Sequence, residues 1–359
     1  MDLLIVEPIE TEVLRWLQAR HRVTYAPELA RDPRTFRQKL FNVRAALLPP
    51  QLRVDTQTLA FAPLLRAVGR IGQGPENADA DACAKAGVEI VRGQTATAPA
   101  EAEFIVGALL TMMRPSPEGE RLHAGRELAS STVGFIGMTQ TARSLSAVLR
   151  GFGCRLVGYD PTLHSSDVLW GRWRVEPMGL RELLETADAA CVLLPYFSRY
   201  TGLLGERYLA FSKPGQLMVS VGHSALFNEY ALALALRTAR ISAVWFDSPE
   251  PGLFDPGRPL HGLPGVITTP RLAGYTQEAR VRSAWAVAQR IDEILSNAPT
   301  TARDFRPSAP MPLNSAALPG DPEGDPPDDP PEAPQPDSGE DCALSPDASA
   351  GFERVPASS

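Results

Sequence analysis

Short apolar runs alternate with segments of helical periodicity over the first 300 residues of the chain. The clearest unit lies near the middle, where an apolar run at 133–136 is followed by a helical pattern at 141–151 and a second apolar run at 155–159. Such a unit is typical of two parallel strands joined by a helix. Further strands are predicted at 3–6, 44–48, 67–71, 88–91, 189–194, 217–220, 242–246 and 266–268, and further helices at 9–20, 98–113, 206–211, 229–238 and 277–297. This alternation predicts an α/β fold whose parallel sheets carry helices on both faces.

The composition changes near residue 303, after which Pro, Asp, Glu, Ser and Gly dominate. Such a segment buries too little apolar area to offset its conformational entropy, so residues 301–359 are predicted to form a disordered tail. The tail is either a segment that contacts a partner or a solvated extension without one. Eleven of the 42 acidic residues lie from Asp321 onward, against one of the 35 basic residues.

Without this tail the chain is close to neutral and has no concentrated basic stripe, so binding to nucleic acid is not expected. It contains no apolar run long enough to span a membrane. Asp2 and Glu7 flank a first apolar run that is typical of a strand rather than a signal peptide, and a cytoplasmic location is expected. The four cysteines are widely spaced, which predicts neither a zinc site nor a disulfide framework.

A glycine-containing loop at the central strand–helix junction has the spacing of a dinucleotide-binding fingerprint. Gly137, Thr139 and Ala142 occupy its three small-residue positions, and Asp160 ends the next predicted strand. The first position needs a tight turn, the second lets a pyrophosphate approach the backbone, and the third lets helix and strand pack closely. The acidic residue binds the ribose hydroxyls, so Asp160 favours NAD over NADP.

Thr139 is the exception in this fingerprint, because its side chain lies where glycine leaves room for the pyrophosphate. Its hydroxyl could partly compensate by hydrogen bonding to a phosphate oxygen, and the helix N-terminus still offers its amides. Two interpretations follow: the domain binds NAD with reduced affinity, or it keeps the fold and has lost the ligand.

Several segments together resemble the D-isomer-specific 2-hydroxyacid dehydrogenases. They occur in the order of that family and extend over roughly residues 1–300: 132–137 (TVGFIG), 151–161 (GFGCRLVGYDP), 213–220 (KPGQLMVS), 247–251 (DSPEP) and 269–274 (TPRLAG). The resemblance implies two doubly wound parallel-sheet lobes with an active site between them. A flavodoxin-like substrate lobe would comprise 1–98 and 276–300, and a Rossmann-like NAD lobe 99–275. It also implies a homodimer formed through the NAD lobe and a small 2-keto or 2-hydroxy acid as substrate.

The resemblance also implies a set of cofactor-binding positions, with Asp247 at the position that contacts the nicotinamide amide. The set is Gly137, Thr139, Gln140, Thr141, Asp160, Pro195, Val221 and Asp247. Three aromatic residues, Tyr196, Phe197 and Tyr200, follow Pro195. They either fill the adenosine side of the cleft or pack against the protein.

The family uses an arginine that holds the substrate carboxylate, a histidine that exchanges the proton and a glutamate that supports the histidine. Glu250 matches the glutamate. His223 stands where the arginine is expected, and Arg271 stands where the histidine is expected. An arginine remains charged at any working pH and cannot act as the acid.

This exchange leads to two hypotheses. In one, the protein is an NAD-dependent oxidoreductase in which His223, Glu250 and Arg271 act in rearranged roles. In the other, it is a catalytically degenerate relative that binds a cofactor or metabolite or forms a dimeric scaffold. For the second we expect Arg271 to form a bidentate ion pair with Glu250, leaving His223 without a supporting anion.

Overall fold

The computed structural model describes residues 1–72, 77–114 and 124–297, all within one compact unit. The first of its two sheets has five parallel strands in the order β2-β1-β3-β4-β5. The strands are β1 (Leu3–Ile5), β2 (Val23–Tyr25), β3 (Ala45–Leu47), β4 (Ala67–Arg70) and β5 (Glu89–Arg92). β1 and β3 are buried along their whole length, because helices cover both faces of a parallel sheet.

The second sheet has seven parallel strands in the order β12-β11-β10-β9-β6-β7-β8. They are β6 (Thr132–Ile136), β7 (Arg155–Tyr159), β8 (Glu176–Pro177), β9 (Ala189–Val192), β10 (Gln216–Ser220), β11 (Ile241–Asp247) and β12 (Val266–Thr269). The strand order reverses between β6 and β9, and in sheets of this kind ligands bind at the carboxyl ends of the strands at such a reversal.

Helices cover both sheets. They are α1 (Thr11–Gln18), α2 (Pro33–Lys39), α3 (Thr56–Ala60), α4 (Ala80–Lys85), α5 (Ala98–Met112), α6 (Gln140–Phe152), α7 (Val168–Trp173), α8 (Leu180–Thr186), α9 (Glu206–Leu209), α10 (Glu229–Arg237) and α11 (Gln277–Asn297). None of the helices in the described ranges combines the length and the apolar character needed to cross a membrane. The predicted α/β class with two parallel-sheet lobes is confirmed.

The last helix returns to the first sheet. Ala284, Val287 and Ile291 of α11 are fully buried in one cluster with residues of β1 and β3. A methyl group added at Gly69 in β4 would lie 2.8 Å from Val287, so the helix packs closely on the strand. The segment that precedes α11, around Gly274, lines a cavity together with Ile71 and Gly72, which follow β4.

The structure contains elements that the hydrophobic pattern did not predict. These are β2, β8, α2, α3, α4, α7 and α8. β2 is a partly exposed strand of three residues, and the five helices have at most seven residues each, too short for a clear period. The predicted tail at 301–359 lies outside the described residues.

Candidate active site

Gly137 forms the turn between β6 and α6. Its φ of +103° lies in the region that favours glycine, and a Cβ there would stand 2.6 Å from the Cα of Leu194. Its N–H donates to the carbonyl of Tyr159 at 2.8 Å. The first position of the fingerprint therefore requires glycine in this fold, because the loop lies directly on the end of β9.

Thr139 is the N-cap residue of α6. It has an extended backbone, and its hydroxyl accepts a hydrogen bond from the N–H of Ala142 at 3.4 Å. Ser and Thr favour this position because they satisfy an amide that the helix leaves without an internal partner. The side chain thus accepts a hydrogen bond from one of the backbone amides that would otherwise donate to a bound phosphate.

Gln140 and Thr141 begin α6 and differ in their surroundings. Gln140 is exposed, whereas Thr141 is buried and donates from its hydroxyl to Glu101 of α5 at 2.5 Å. The other carboxylate oxygen of Glu101 accepts from the hydroxyl of Thr97 at 2.7 Å. Thr141 therefore ties the cofactor helix to α5. These two contacts give Glu101 a structural role that the sequence patterns did not indicate.

Asp160 lies at the carboxyl end of β7, beside the Gly137 loop. One carboxylate oxygen accepts from the N–H of Met138 at 2.8 Å, and the other accepts from the N–H and hydroxyl of Thr162 at 2.9 and 2.6 Å. Carboxylate oxygens can accept more than one hydrogen bond each, so ribose hydroxyls can share this group. The glycine turn, the start of α6 and Asp160 together fit a dinucleotide, with Thr139 as the residue that opposes it.

A cavity of about 190 Å³ lies beyond the ends of β10 and β11. It brings together the side chains of His223, Glu250 and Arg271, which the sequence separates by up to 48 residues. Val221 and Asp247 also line it. Pro195 follows β9 and is exposed.

His223 pairs with Glu250. The Nδ1 atom of the ring lies 2.9 Å from Oε1 of Glu250, and the other carboxylate oxygen accepts from the N–H of Ser224 at 2.9 Å. The expectation that His223 lacks a supporting anion is wrong. The sequence could not show this because both residues lie in loops, after β10 and β11, whose paths decide which side chains meet.

Nδ1 of His223 also lies 3.1 Å from the N–H of Ala225, which points towards it as a donor. A single ring nitrogen cannot both accept from Ala225 and donate to Glu250. The contact with the carboxylate is shorter and charge-assisted, so it dominates when Nδ1 carries a proton. The ring nitrogen then left for a substrate is Nε2.

Arg271 does not contact Glu250, so the predicted ion pair between them is wrong. Its Nε donates to the hydroxyl of Ser248 at 2.8 Å, and no carboxylate pairs with it within the described part of the chain. Both residues have a left-handed backbone, with φ of +58° for Arg271 and +69° for Ser248. This conformation is strained for residues with a side chain and is often found at functional sites.

Asp247 holds the loop that carries Arg271. It is 5% exposed, and its carboxylate accepts from the hydroxyl of Thr269 and the N–H of Leu272, both at 2.7 Å, and from the N–H of Ala273 at 2.9 Å. These three bonds fix the backbone on both sides of Arg271. The predicted contact of Asp247 with a nicotinamide amide remains a prediction.

A second cavity, of about 290 Å³, adjoins the first at Gly274 and extends towards the first sheet. Gly72 lies on its wall, after β4, and its N–H donates to Glu7 at 2.7 Å. Burial raises the pKa of Glu7 even though two backbone N–H groups donate to it. Arg280 also lines this cavity and pairs with Glu10 at 2.7 Å, so its charge is already balanced.

Tyr196 stacks on His223. The ring centroids lie 4.2 Å apart with an interplanar angle of 20°, and the Tyr196 hydroxyl forms a 2.9 Å hydrogen bond with the hydroxyl of Thr201. The sequence placed Tyr196 near the adenosine side of the cleft or in ordinary packing and gave no sign of this contact.

Comparison with known proteins gives a consistent result. Residues 111–273 match the NAD-binding domain of the D-isomer-specific 2-hydroxyacid dehydrogenases. A (S)-sulfolactate dehydrogenase of Chromohalobacter salexigens is 29% identical over 305 residues, which cover 82% of this chain and 98% of the relative. A D-3-phosphoglycerate dehydrogenase of Mycobacterium leprae is 32% identical over 259 residues. That match covers 69% of this chain and 48% of the relative, so the chain spans about half the length of that enzyme.

A solved structure supports the same fold. The D-lactate dehydrogenase of Treponema pallidum gives a TM-score of 0.68 at 20% identity, covering 84% of this chain and 99% of that chain. At this identity the likeness shows the fold alone. The domain match gives NAD as the cofactor of the second lobe, and together with the relatives it shows that the chain belongs to the D-isomer-specific 2-hydroxyacid dehydrogenase family.

Proposed function

We propose that the protein interconverts a small 2-keto acid and the corresponding 2-hydroxy acid, with the imidazole and guanidinium of the site in exchanged positions. The observation that carries this proposal is the 2.9 Å contact between His223 and Glu250 in the same cavity as Arg271. That cavity combines a proton-exchanging group, an anion beside it and a permanent cation. The reaction requires these three groups.

His223 is the proton donor in the direction of keto-acid reduction. Glu250 stabilises the protonated imidazole and holds Nδ1, so that Nε2 gives its proton to the carbonyl oxygen as the alcohol forms. In the reverse direction the neutral ring takes the hydroxyl proton. NAD, when bound, carries the hydride that is added to or removed from the C2 atom.

Arg271 binds the substrate carboxylate. Ser248 holds its Nε, which leaves the two terminal nitrogens of the guanidinium for the fork-shaped contact that a carboxylate prefers. No carboxylate of the described residues competes for it.

We further propose that the protein is a homodimer whose contact includes the exposed face of α5 and α6. On α6, Val148 is 40% and Phe152 39% exposed, and Gly107 and Thr111 lie on the exposed side of α5. Exposed apolar side chains on a helix face are a feature of protein interaction surfaces. Phe152→Glu should convert the dimer to a monomer in light scattering. A wild-type protein that is monomeric at micromolar concentration would contradict the proposal.

Calorimetric titration with NADH, followed by an assay of NADH oxidation with a panel of 2-keto acids, tests the activity. We expect binding, turnover of at least one small 2-keto acid, and a loss of kcat of about a hundredfold or more in Glu250→Gln. Glu176→Gln provides a matched control, because Glu176 pairs with Arg155 on the surface, in the edge strand β8, and does not line the cavity. Absence of NADH binding at millimolar concentration would instead favour the degenerate relative, with Thr139 as the cause.

A further inference from the structure

The loop after β9 presents three aromatic residues that divide into two groups. Phe197 and Tyr200 pack edge to face at 6.0 Å, and the guanidinium of Arg199 lies over both rings, at 5.2 and 4.8 Å from their centroids. Tyr196 has no part in this cluster and stacks on His223 instead. The two groups therefore have different roles, although they adjoin in sequence.

Tyr196 is itself anchored. Its hydroxyl forms a 2.9 Å hydrogen bond with the hydroxyl of Thr201, which follows the Phe197–Tyr200 cluster in sequence. The backbone at Tyr196 and the side chain of Thr201 therefore hold the ring from both ends of the loop. The ring is 39% exposed, which means that burial of apolar area alone does not account for its position. An anchored aromatic face parallel to an imidazole is a specific geometry, since aromatic pairs prefer offset stacked or edge-to-face arrangements.

We propose that Tyr196 is a positioning residue for His223, which keeps the imidazole in the plane that aligns Nδ1 with Glu250 and Nε2 with the substrate. The inference rests on the proposed function, in which His223 transfers the proton. It assigns a role to a residue that does not touch the reacting atoms.

The physical need for such a residue follows from the geometry of the pair. His223 is 38% and Glu250 35% exposed, so surrounding protein encloses neither side chain tightly. One hydrogen bond to Nδ1 holds that nitrogen, but the ring plane can still tilt by small rotations about the side-chain bonds. A flat ring at 4.2 Å with a 20° angle removes this tilt. The electron-rich face of the tyrosine also attracts the imidazole when it is positively charged.

The stack has a spectroscopic signature that does not depend on turnover. The ring current of Tyr196 should shift the carbon-bound ring protons of His223 upfield of those of the other four histidines. The signal of His223 is assigned by its loss in His223→Asn. Tyr196→Leu should abolish this shift and Tyr196→Phe should retain it. Phe197→Leu, which changes the neighbouring aromatic, should leave it in place.

Kinetics then test the positioning role. We expect Tyr196→Leu to lower kcat by about tenfold to a hundredfold, the range that a misplacement of up to about 1 Å produces, with KM for the keto acid within about twofold. Tyr196→Phe should recover most of the lost kcat, because it restores the ring. A general structural defect would instead alter KM and the NADH affinity together.

Three results are distinguishable. Loss of the NMR shift and of kcat in Tyr196→Leu, with recovery in Tyr196→Phe, supports the inference. An unchanged shift or an unchanged kcat in Tyr196→Leu overturns it and leaves the proposed function intact. A wild-type protein with the upfield signal but no turnover of any 2-keto acid overturns the proposed function, and the positioning role with it.

Discussion

Replacing Thr139 with glycine should tighten the binding of NADH. The hydroxyl of Thr139 holds the N–H of Ala142 at 3.4 Å, at the start of the helix that faces the pyrophosphate. Removing the side chain frees this amide and the space of the β-carbon. A hydrogen bond from an amide to a charged group contributes about 1.5–3 kcal/mol, and the loss of the cap with glycine costs only a few tenths. At the lower end of that range, the net gain in binding free energy corresponds to a decrease of about tenfold in the Kd for NADH.

Calorimetric titration with NADH of four proteins separates the causes. Thr139→Ser keeps the hydroxyl and should bind as the wild type does, whereas Thr139→Ala frees the amide but keeps the β-carbon. Tight binding in the glycine variant alone identifies the β-carbon as the obstacle, and tight binding in both identifies the hydroxyl. Unchanged or weaker binding in Thr139→Gly would refute the reasoning, and would indicate that the threonine itself holds a phosphate.

Other variants test the framework around the site. Gly137→Ala should lower the free energy of unfolding by more than about 1 kcal/mol, because its φ is +103° and a Cβ would meet Leu194 at 2.6 Å. Gly151→Ala, in α6 with no atom within 4 Å of the added Cβ, is the matched control and should stabilise by about 0.5–1 kcal/mol in thermal unfolding. Burial opposes ionisation of Asp188, but bonds from Lys213, Thr132 and Arg126 outweigh it and hold the pKa of this carboxyl below its usual value. Ionised Asp188 therefore contributes stability above its ordinary pKa that is lost as the pH falls through the lowered one. Asp188→Asn should lower the free energy of unfolding by about 1–2 kcal/mol at neutral pH. This is near the low end for charge-assisted hydrogen bonds, because Arg126 and Lys213 are partly exposed. The difference between variant and wild type should vanish in acid. A difference that grows in acid would contradict this assignment.

The hydrophobic pattern predicted the elements whose burial is complete. β9 and β10 are buried along their whole length, and their apolar runs identify them directly. β2 was not predicted because its three residues are partly exposed, and α8 because seven residues give no clear period. The spacing of the Gly137 loop also sufficed to place the cofactor helix, since strand, turn and helix are contiguous in sequence.

The contacts of the site could not be predicted in the same way. Sequence resemblance placed Arg271 beside Glu250, but the guanidinium of Arg271 donates to Ser248 instead. Glu250 is then available to His223. Pairings of this kind depend on the path of loops after β11 and β12, which neither periodicity nor motif spacing encodes. The stack of Tyr196 on His223 depends on a loop in the same way.

Steady-state kinetics of His223→Asn and Arg271→Met with one 2-keto acid at saturating NADH test the exchange of roles most directly. His223→Asn should lower kcat by about a hundredfold or more with little change in KM, because it removes the proton donor. Arg271→Met should raise KM by about tenfold to a hundredfold, because it removes the charged contact to the carboxylate. The opposite assignment of effects, with kcat lost in Arg271→Met and KM raised in His223→Asn, would contradict the proposed roles.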